Sequence, residues 1–365
     1  MTMAMAYALR VGVLGATGMV GQRFVSLLEA HPWFRLTAVA ASAKSAGRTY
    51  REAVEGRWAL ASPLPSRAAD LPVRDASDVE GVAGEVDLVF CAVDMTKDET
   101  RALEDAYAKR ETPVVSNNSA HRATPDVPMM VPEVNPEHVE LVVAQRRRLG
   151  TKRGFVAVKP NCSIQSYVPA LHPLRDLGPT RVAVATYQAI SGAGKTFASW
   201  PEMTDNVIPF IGGEEEKSEQ EPLKIWGQIE DGRVVPSRVP VISAQCFRVP
   251  VSDGHMAAVS MSLEKKAPRE EIIARWRSFV GKPQTLGLPS APRPFLTYFD
   301  EDNRPQTRLD RDAGAGMGVA LGRLRPDSIF DYRFVGLSHN TVRGAAGGAI
   351  LTAELLVAEG YIQPK

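Results

Sequence analysis

Short apolar runs separated by amphipathic stretches organise the first half of the chain. Arg10-Val11-Gly12-Val13-Leu14 and Phe34 to Ala41 read as strands, with a helix from Gln22 to Ala30 between them. Val86 to Val93 is apolar enough for a central strand. A helix from about Lys97 to Lys109, a strand at Pro113 to Ser116 and another at Gly154 to Val158 follow. This alternation predicts a parallel, doubly wound sheet with helices on both faces. Past residue 162 the pattern changes. Arg181 to Gln188, Arg238 to Val249 and Ala257 to Leu263 read as longer strands separated by insertions, which predicts a mixed or antiparallel sheet. Glu270 to Val280 is helical, Gly281 to Asp312 is loop-rich, and Thr341 to Ala358 reads as a helix returning to the first domain.

The turn after the first strand, Gly15-Ala16-Thr17-Gly18-Met19-Val20-Gly21, brings in chemistry. Glycines between a strand and a helix let the backbone approach a pyrophosphate lying on the helix N-terminus. The spacing is G-x-x-G-x-x-G, so its position in a strand–turn–helix carries the inference. A Rossmann-like nucleotide-binding domain is therefore expected, with Gly15, Thr17, Gly18, Met19 and Val20 at the cofactor. An NAD site usually has an acidic residue after the second strand. This chain has Ser42, Lys44 and Ser45 there, a set suited to a 2′-phosphate, so NADP is the expected cofactor.

A second stretch points to covalent catalysis. Pro160-Asn161-Cys162-Ser163 follows the strand Gly154 to Val158 and precedes a helix expected from Ser163 to Leu174, which Asn161 or Ser163 could cap. A cysteine at such a helix start is favoured as thiolate, and neighbouring N–H groups could stabilise an oxyanion on the carbon it attacks. A small buried cysteine is the plainer alternative. His255 follows the turn signal Asp253-Gly254, so its ring could project into a cleft, with a surface loop histidine as the commoner alternative.

Composition mostly excludes. At 365 residues, 44% hydrophobic and 23% charged, the chain has the length of two domains. A net charge of +1 gives no case for nucleic acid or an anionic membrane. No run is long enough to span a bilayer, and Met1 to Leu9 lack a signal-peptide pattern. The three cysteines have neither disulfide nor metal spacing, so no metal is expected and a cytoplasmic location is.

Collectively the motifs resemble the aspartate-semialdehyde dehydrogenase family, in its archaeal and fungal branch. The matching stretches include Gly15 to Gly21, Ser116 to Arg122, Val131 to Asn135, Pro160 to Ser163, Gln188 to Gly194, Asn206 through Lys217, Arg248 to His255 and Asn340 through Gly348. The resemblance implies NADPH-dependent reductive dephosphorylation of aspartyl β-phosphate to aspartate β-semialdehyde and phosphate. It implies Cys162 as the nucleophile that forms a thioacyl enzyme and His255 as acid–base. It places Arg248 on the substrate α-carboxylate, Glu215 on its amino group and Gln188 beside the acyl group. Arg122 and Lys217, with Asn118 assisting, take the phosphate. Ser191, Gly192 and Asn340 meet the nicotinamide end. Homodimers or homotetramers pairing through the second domain are implied as well.

The expected organisation is a cofactor domain, 1–160, completed by 338–365, and an α+β catalytic and dimerisation domain, 161–337. Two departures flank the acyl site: Lys195-Thr196-Phe197-Ala198 after Gly194, and Ile164-Gln165-Ser166 after Ser163. They leave open a reductase of malonyl-CoA or succinyl-CoA using the same cysteine and histidine. A catalytically silent NADP-binding protein is the alternative from another class.

Overall fold

The computed structural model describes residues 8–365. Of the N-terminal stretch read for a leader, Met1 to Tyr7 lie outside the described residues. Two six-stranded sheets carry the chain. The first contains β1 (Leu9–Leu14), β2 (Phe34–Ala41), β3 (Val73–Asp75), β4 (Leu88–Cys91), β5 (Val114–Ser116) and β6 (Val156–Val158). They lie in the order β3-β2-β1-β4-β5-β6, and every pairing is parallel. β1 and β4 are near-continuously apolar because helices cover both faces, as all-parallel sheets require. The helix Lys97–Lys109 starts where expected, since Thr96 and Glu99 form a reciprocal capping box.

After a short crossover comes β7 (Pro179–Gln188), then a small hairpin of β8 (Gln228–Glu230) and β9 (Arg233–Val235). The second sheet adds β10 (Val241–Arg248), β11 (His255–Leu263), β12 (Leu296–Phe299), β13 (Val319–Pro326) and β14 (Tyr332–Ser338). Its order is β10-β7-β11-β14-β13-β12, with β10–β7 and β12–β13 parallel and the other pairings antiparallel. The mixed sheet is as the alternation suggested. One face is buried, and the other leaves Tyr187 and Val241 exposed, with Tyr187 stacked on Phe247 at 5.9 Å.

The helix Gly347–Ala358 is apolar on nearly every side. It packs into the first sheet's core with Ala349, Ile350, Leu355 and Leu356. A π-type turn at Val342–Ala346 leads into it. Two elements differ from expectation. The stretch after Cys162 is not one helix but a 3-10 turn at Ser163–Ser166, one α turn at Val168–Leu171 and a 3-10 turn at His172–Leu177. Pro169 and Pro173 remove N–H donors and break it. Within the loop-rich stretch lies the edge strand β12. No helix among the described residues is long and apolar enough to cross a membrane.

Candidate active site

Cys162 follows β6, at the carboxyl end of the first sheet, where ligands of open α/β sheets collect. The Asn161 side chain accepts the Ser163 N–H at 2.7 Å and fixes the turn. The facing groups come from one end of the second sheet. β7 and β10 are parallel and finish at Gln188 and Arg248, which are register partners, while antiparallel β11 begins there with His255. Pro250 to Gly254, with Gly254 at φ +99°, reverses the chain so that Arg248 and His255 both reach the buried face.

His255 Nε2 lies 3.4 Å from Cys162 Sγ. Its Nδ1 accepts the Ala189 N–H at 3.1 Å, so the neutral ring carries its proton on Nε2, facing the sulfur. Burial, with Arg248 adding to it, pushes the imidazole pKa down to about 3. The Cys162 thiol is raised by burial and by Glu214, against the opposing pull of Lys159, Arg122 and Arg248. Close approach explains two glycines. A Cβ at Gly192 would stand 2.9 Å from Arg248 Nη1 and 3.0 Å from His255 Cε1, and one at Gly344 would stand 2.9 Å from Cys162 Cβ.

Cys162 opens into a cleft of about 240 Å³, shared with Arg122, Lys217, Glu214, Ser191, Gly192 and Asn340. The helix Glu214–Ile225 supplies one wall. Residues 214, 217, 218 and 221 share its inner face, at the spacing that stacks side chains on a helix. Glu214 accepts from Asn161 Nδ2 at 2.9 Å, Gln188 Nε2 at 3.2 Å and Lys217 Nζ at 2.9 Å. Burial works against this carboxylate, but Lys217 and these donors hold its pKa below the ordinary range. Glu215, the expected substrate ligand, is turned away and accepts the Cys246 N–H at 3.2 Å. The reason is rotational: residues 215 and 217 are two apart and cannot share a helix face, whereas 214 and 217 do. Glu214 is therefore the carboxylate the structure places in the cleft.

Arg122 donates to Glu221 at 2.9 Å and to the Asn117 carbonyl at 2.9 Å, and its Nε has no partner among the described residues. Asn118 also departs from expectation: its Nδ2 is bound to the Val93 carbonyl at 2.6 Å, and it does not line the cleft. Its neighbour Asn117 does, with both amide atoms buried and unpartnered. The two are neighbours in the bend after β5, and only Asn117 turns its amide to the cleft. Arg248 donates to the Ala189 carbonyl at 2.7 Å. Gln165, one of the two departures, faces away from the cleft and accepts from Arg343 Nε at 3.2 Å. Lys195, the other, is exposed and lines a neighbouring chamber of about 440 Å³ with Met19, Arg23 and His339.

Fit to a dinucleotide is tested at the glycine turn. A Cβ at Gly15, which lies at φ +80°, would collide with the Ala92 carbonyl, and one at Gly21 with the Gly15 carbonyl. The helix Met19–Leu28 starts at Gly18 with no side-chain cap and no acidic residue in its first turn, leaving its N–H groups to an anion. Thr17 lies within that turn, and Val20 lines the cleft beside Cys162. At the end of β2, Ser42 and Lys44 are exposed and Ser45 is buried. Asn340 donates to Ser191 Oγ at 2.8 Å and accepts the Gly254 N–H at 2.8 Å, bracing the loop at the far end. These residues fit a phosphorylated dinucleotide. No group of three or more His, Cys, Asp or Glu among the described residues is placed to hold a metal.

A parallel nucleotide-binding sheet joined to a mixed sheet, with a Cys–His pair between them, defines a two-domain semialdehyde dehydrogenase. Residues 10–142 match the family model for the semialdehyde dehydrogenase NAD binding domain, and residues 171–343 match that for its dimerisation domain. An aspartate-semialdehyde dehydrogenase of Methanothermobacter thermautotrophicus is 46% identical over 95% of this chain and 98% of its own. That of Aspergillus fumigatus is 42% identical over 97% and 98%. The crystal structure of the Candida albicans aspartate-semialdehyde dehydrogenase with NADP superposes with a TM-score of 0.87 at 39% identity, covering 98% of this chain and all of that one. The chain belongs to the aspartate-semialdehyde dehydrogenase family.

Proposed function

We propose that the protein carries out NADPH-dependent reductive dephosphorylation of L-aspartyl 4-phosphate, giving L-aspartate 4-semialdehyde and inorganic phosphate. The observation that carries this reading is the order of charges along the cleft. A nucleophilic sulfur beside an imidazole stands among Arg122 and Lys217, Arg248, and Glu214. Those charges complement the phosphate, the α-carboxylate and the α-ammonium of the substrate.

The chain's own groups then have defined tasks. Arg248 and Glu214 bind the two ends of the amino-acid moiety, and Gln188, bonded to Glu214, orients the acyl group. The Cys162 thiolate attacks the acyl carbon. The carbon–sulfur bond forms, the carbon–oxygen bond to phosphate breaks, and the leaving oxygen takes up the one proton that the overall reaction consumes from solvent, so that phosphate departs as the hydrogen phosphate dianion held by Arg122 and Lys217. His255 shares its Nε2 proton with the oxyanion on that carbon and recovers it as the tetrahedral adduct collapses. NADPH, held by Gly15 to Val20, Ser42 to Ser45, Ser191, Gly192 and Asn340, supplies the hydride that reduces the acyl group. Release of the aldehyde returns Cys162 to thiolate. The exposed outer face of the second sheet supports pairing of two copies there, and the free thiols fit a cytoplasmic location.

The test is reverse turnover with aspartate semialdehyde, phosphate and NADP, followed at the NADPH absorbance. Phosphate-dependent reduction of NADP is expected, and Arg122→Ala should raise the KM for phosphate on the order of tenfold to a hundredfold. Preference for coenzyme A over phosphate would replace this reading with the acyl-CoA reductase. Glu214→Gln is expected to lower kcat/KM for the semialdehyde by a similar factor, while Glu215→Gln changes it by less than about twofold. Equal losses in the two variants would remove Glu214 from substrate binding.

A further inference from the structure

The arginine assigned to phosphate is aimed from outside the cleft. Arg122 Nη2 donates to the Asn117 carbonyl at 2.9 Å. The N–H of that same peptide, carried by Asn118, donates to Ser116 Oγ at 3.0 Å. Ser116 is the last residue of β5, and its hydroxyl donates to Glu104 Oε1 at 2.5 Å. One peptide plane therefore joins the guanidinium on one side to a buried hydroxyl on the other, and that hydroxyl ends on a carboxyl.

Glu104 lies within the helix Lys97–Lys109 and is fully buried. Its Oε2 has no hydrogen-bond partner among the described residues. Burying a carboxyl that is only half satisfied costs stability, and leucine would fill similar space without that cost. Packing alone does not account for it. The same helix face reaches the loop at two further points, since residues 101, 104 and 105 are three and four apart. Arg101 Nη2 donates to the Ala120 carbonyl at 3.0 Å, and Asp105 faces His121 Nε2 at 3.3 Å. Residues 116–122 are thus held from the helix side, while Asn117, Ser119 and Arg122 line the cleft. Of the three contacts, only that of Glu104 bears on the peptide that Arg122 grips.

What Glu104 decides is the direction of the Ser116 hydroxyl. A serine hydroxyl has one proton and two lone pairs and rotates to suit its neighbours. With the proton committed to Glu104, a lone pair is left facing Asn118, and a peptide N–H is its match. Without that acceptor the hydroxyl turns freely, and the peptide no longer has a reason to keep its carbonyl toward Arg122. The guanidinium would then be left to Glu221, on the helix Glu214–Ile225.

We propose that Glu104 is a positioning residue for the phosphate site: through Ser116 it fixes the Asn117–Asn118 peptide, whose carbonyl aims the Arg122 guanidinium. The inference rests on the phosphate role of Arg122 given above. Arg122 Nε, buried and without a partner among the described residues, is a donor that this aim leaves for the anion. Burial raises the Glu104 pKa toward the neutral acid, which makes glutamine a close copy of it.

The experiment measures kcat and both KM values in the reverse direction on the full chain, and the Kd for inorganic phosphate by calorimetry without aldehyde or cofactor. Glu104→Leu and Ser116→Ala should each raise the KM and Kd for phosphate about tenfold, with kcat and the KM for semialdehyde within about twofold. Glu104→Gln, whose carbonyl still accepts from Ser116, should keep the phosphate constants within about threefold of the wild type. Two combinations separate aim from packing. Glu104→Leu with Ser116→Ala should lose no more than either alone, and Glu104→Leu should add nothing in an Arg122→Ala background. Wild-type phosphate constants in Glu104→Leu and Ser116→Ala overturn the proposal, as does a loss shared equally by phosphate, semialdehyde and kcat. If Glu104→Leu does not fold, Ser116→Ala decides by the same two criteria. A wild type that prefers coenzyme A yet binds phosphate through Arg122 removes the proposed reaction and leaves the positioning to be read on the Kd. A wild type that binds no phosphate overturns both.

Discussion

Replacing Cys162 with serine is expected to lower turnover by on the order of 10⁴-fold or more while NADPH binds as before. The serine hydroxyl has nearly the same volume, but at neutral pH almost none of it is ionised. The cations that favour a thiolate cannot bridge so large a gap in acidity. Nor can the substrate be reduced without the covalent step. A thioester accepts hydride readily, whereas an acyl phosphate left in the cleft has no sulfur to hold it against the cofactor. Cofactor binding is spared because the glycine turn at Gly15 to Val20 belongs to the first sheet's β1 and touches Cys162 only across the cleft. NADPH fluorescence titration and single-turnover kinetics on the variant would measure both halves. A rate near that of the wild type would take Cys162 out of the mechanism.

His255→Gln is the second large effect, a loss of about 10²- to 10⁴-fold in kcat. Its pH behaviour is more telling than its size. The imidazole is buried, its Nδ1 is occupied by the Ala189 N–H, and its pKa is pushed to about 3. A group so depressed is neutral throughout the range above it, so it cannot produce an acid limb near 6.5. The acid limb is expected above that pH and belongs to Cys162, whose thiol is raised by burial and whose thiolate forms as pH climbs. The acid limb of kcat/KM should therefore stay in place in His255→Gln while the plateau drops. Disappearance of that limb in the variant would assign it to the histidine after all.

The sequence exposed the architecture because the relevant signals are local. Alternation of apolar runs with helices, the capping pair at Thr96 and Glu99 and the glycine turn are each written within a few residues. The Cys–His partnership was reached by resemblance, since nothing at residue 162 says which residue will meet it from 93 positions away. The differences between expectation and placement share a cause. Glu215 in place of Glu214, and Asn118 in place of Asn117, are one-residue displacements in which composition is the same and only the direction of a side chain differs. Helical phase could have settled the first, because Glu214 and Lys217 are three apart and Glu215 and Lys217 are two. The second depends on where β5 ends, which no pattern around Asn117 marks. Pro169 and Pro173 were legible breakers, and weighing them would have shortened the expected helix.

The two halves of the reactive pair arrive by different routes. Cys162 hangs from the first sheet and His255 opens a strand of the second, with the chain between them building most of the other wall. The helix Gly347–Ala358, which fills the first sheet's core, is made after both, so the sulfur and the imidazole meet on a completed scaffold only once nearly the whole chain has been synthesised.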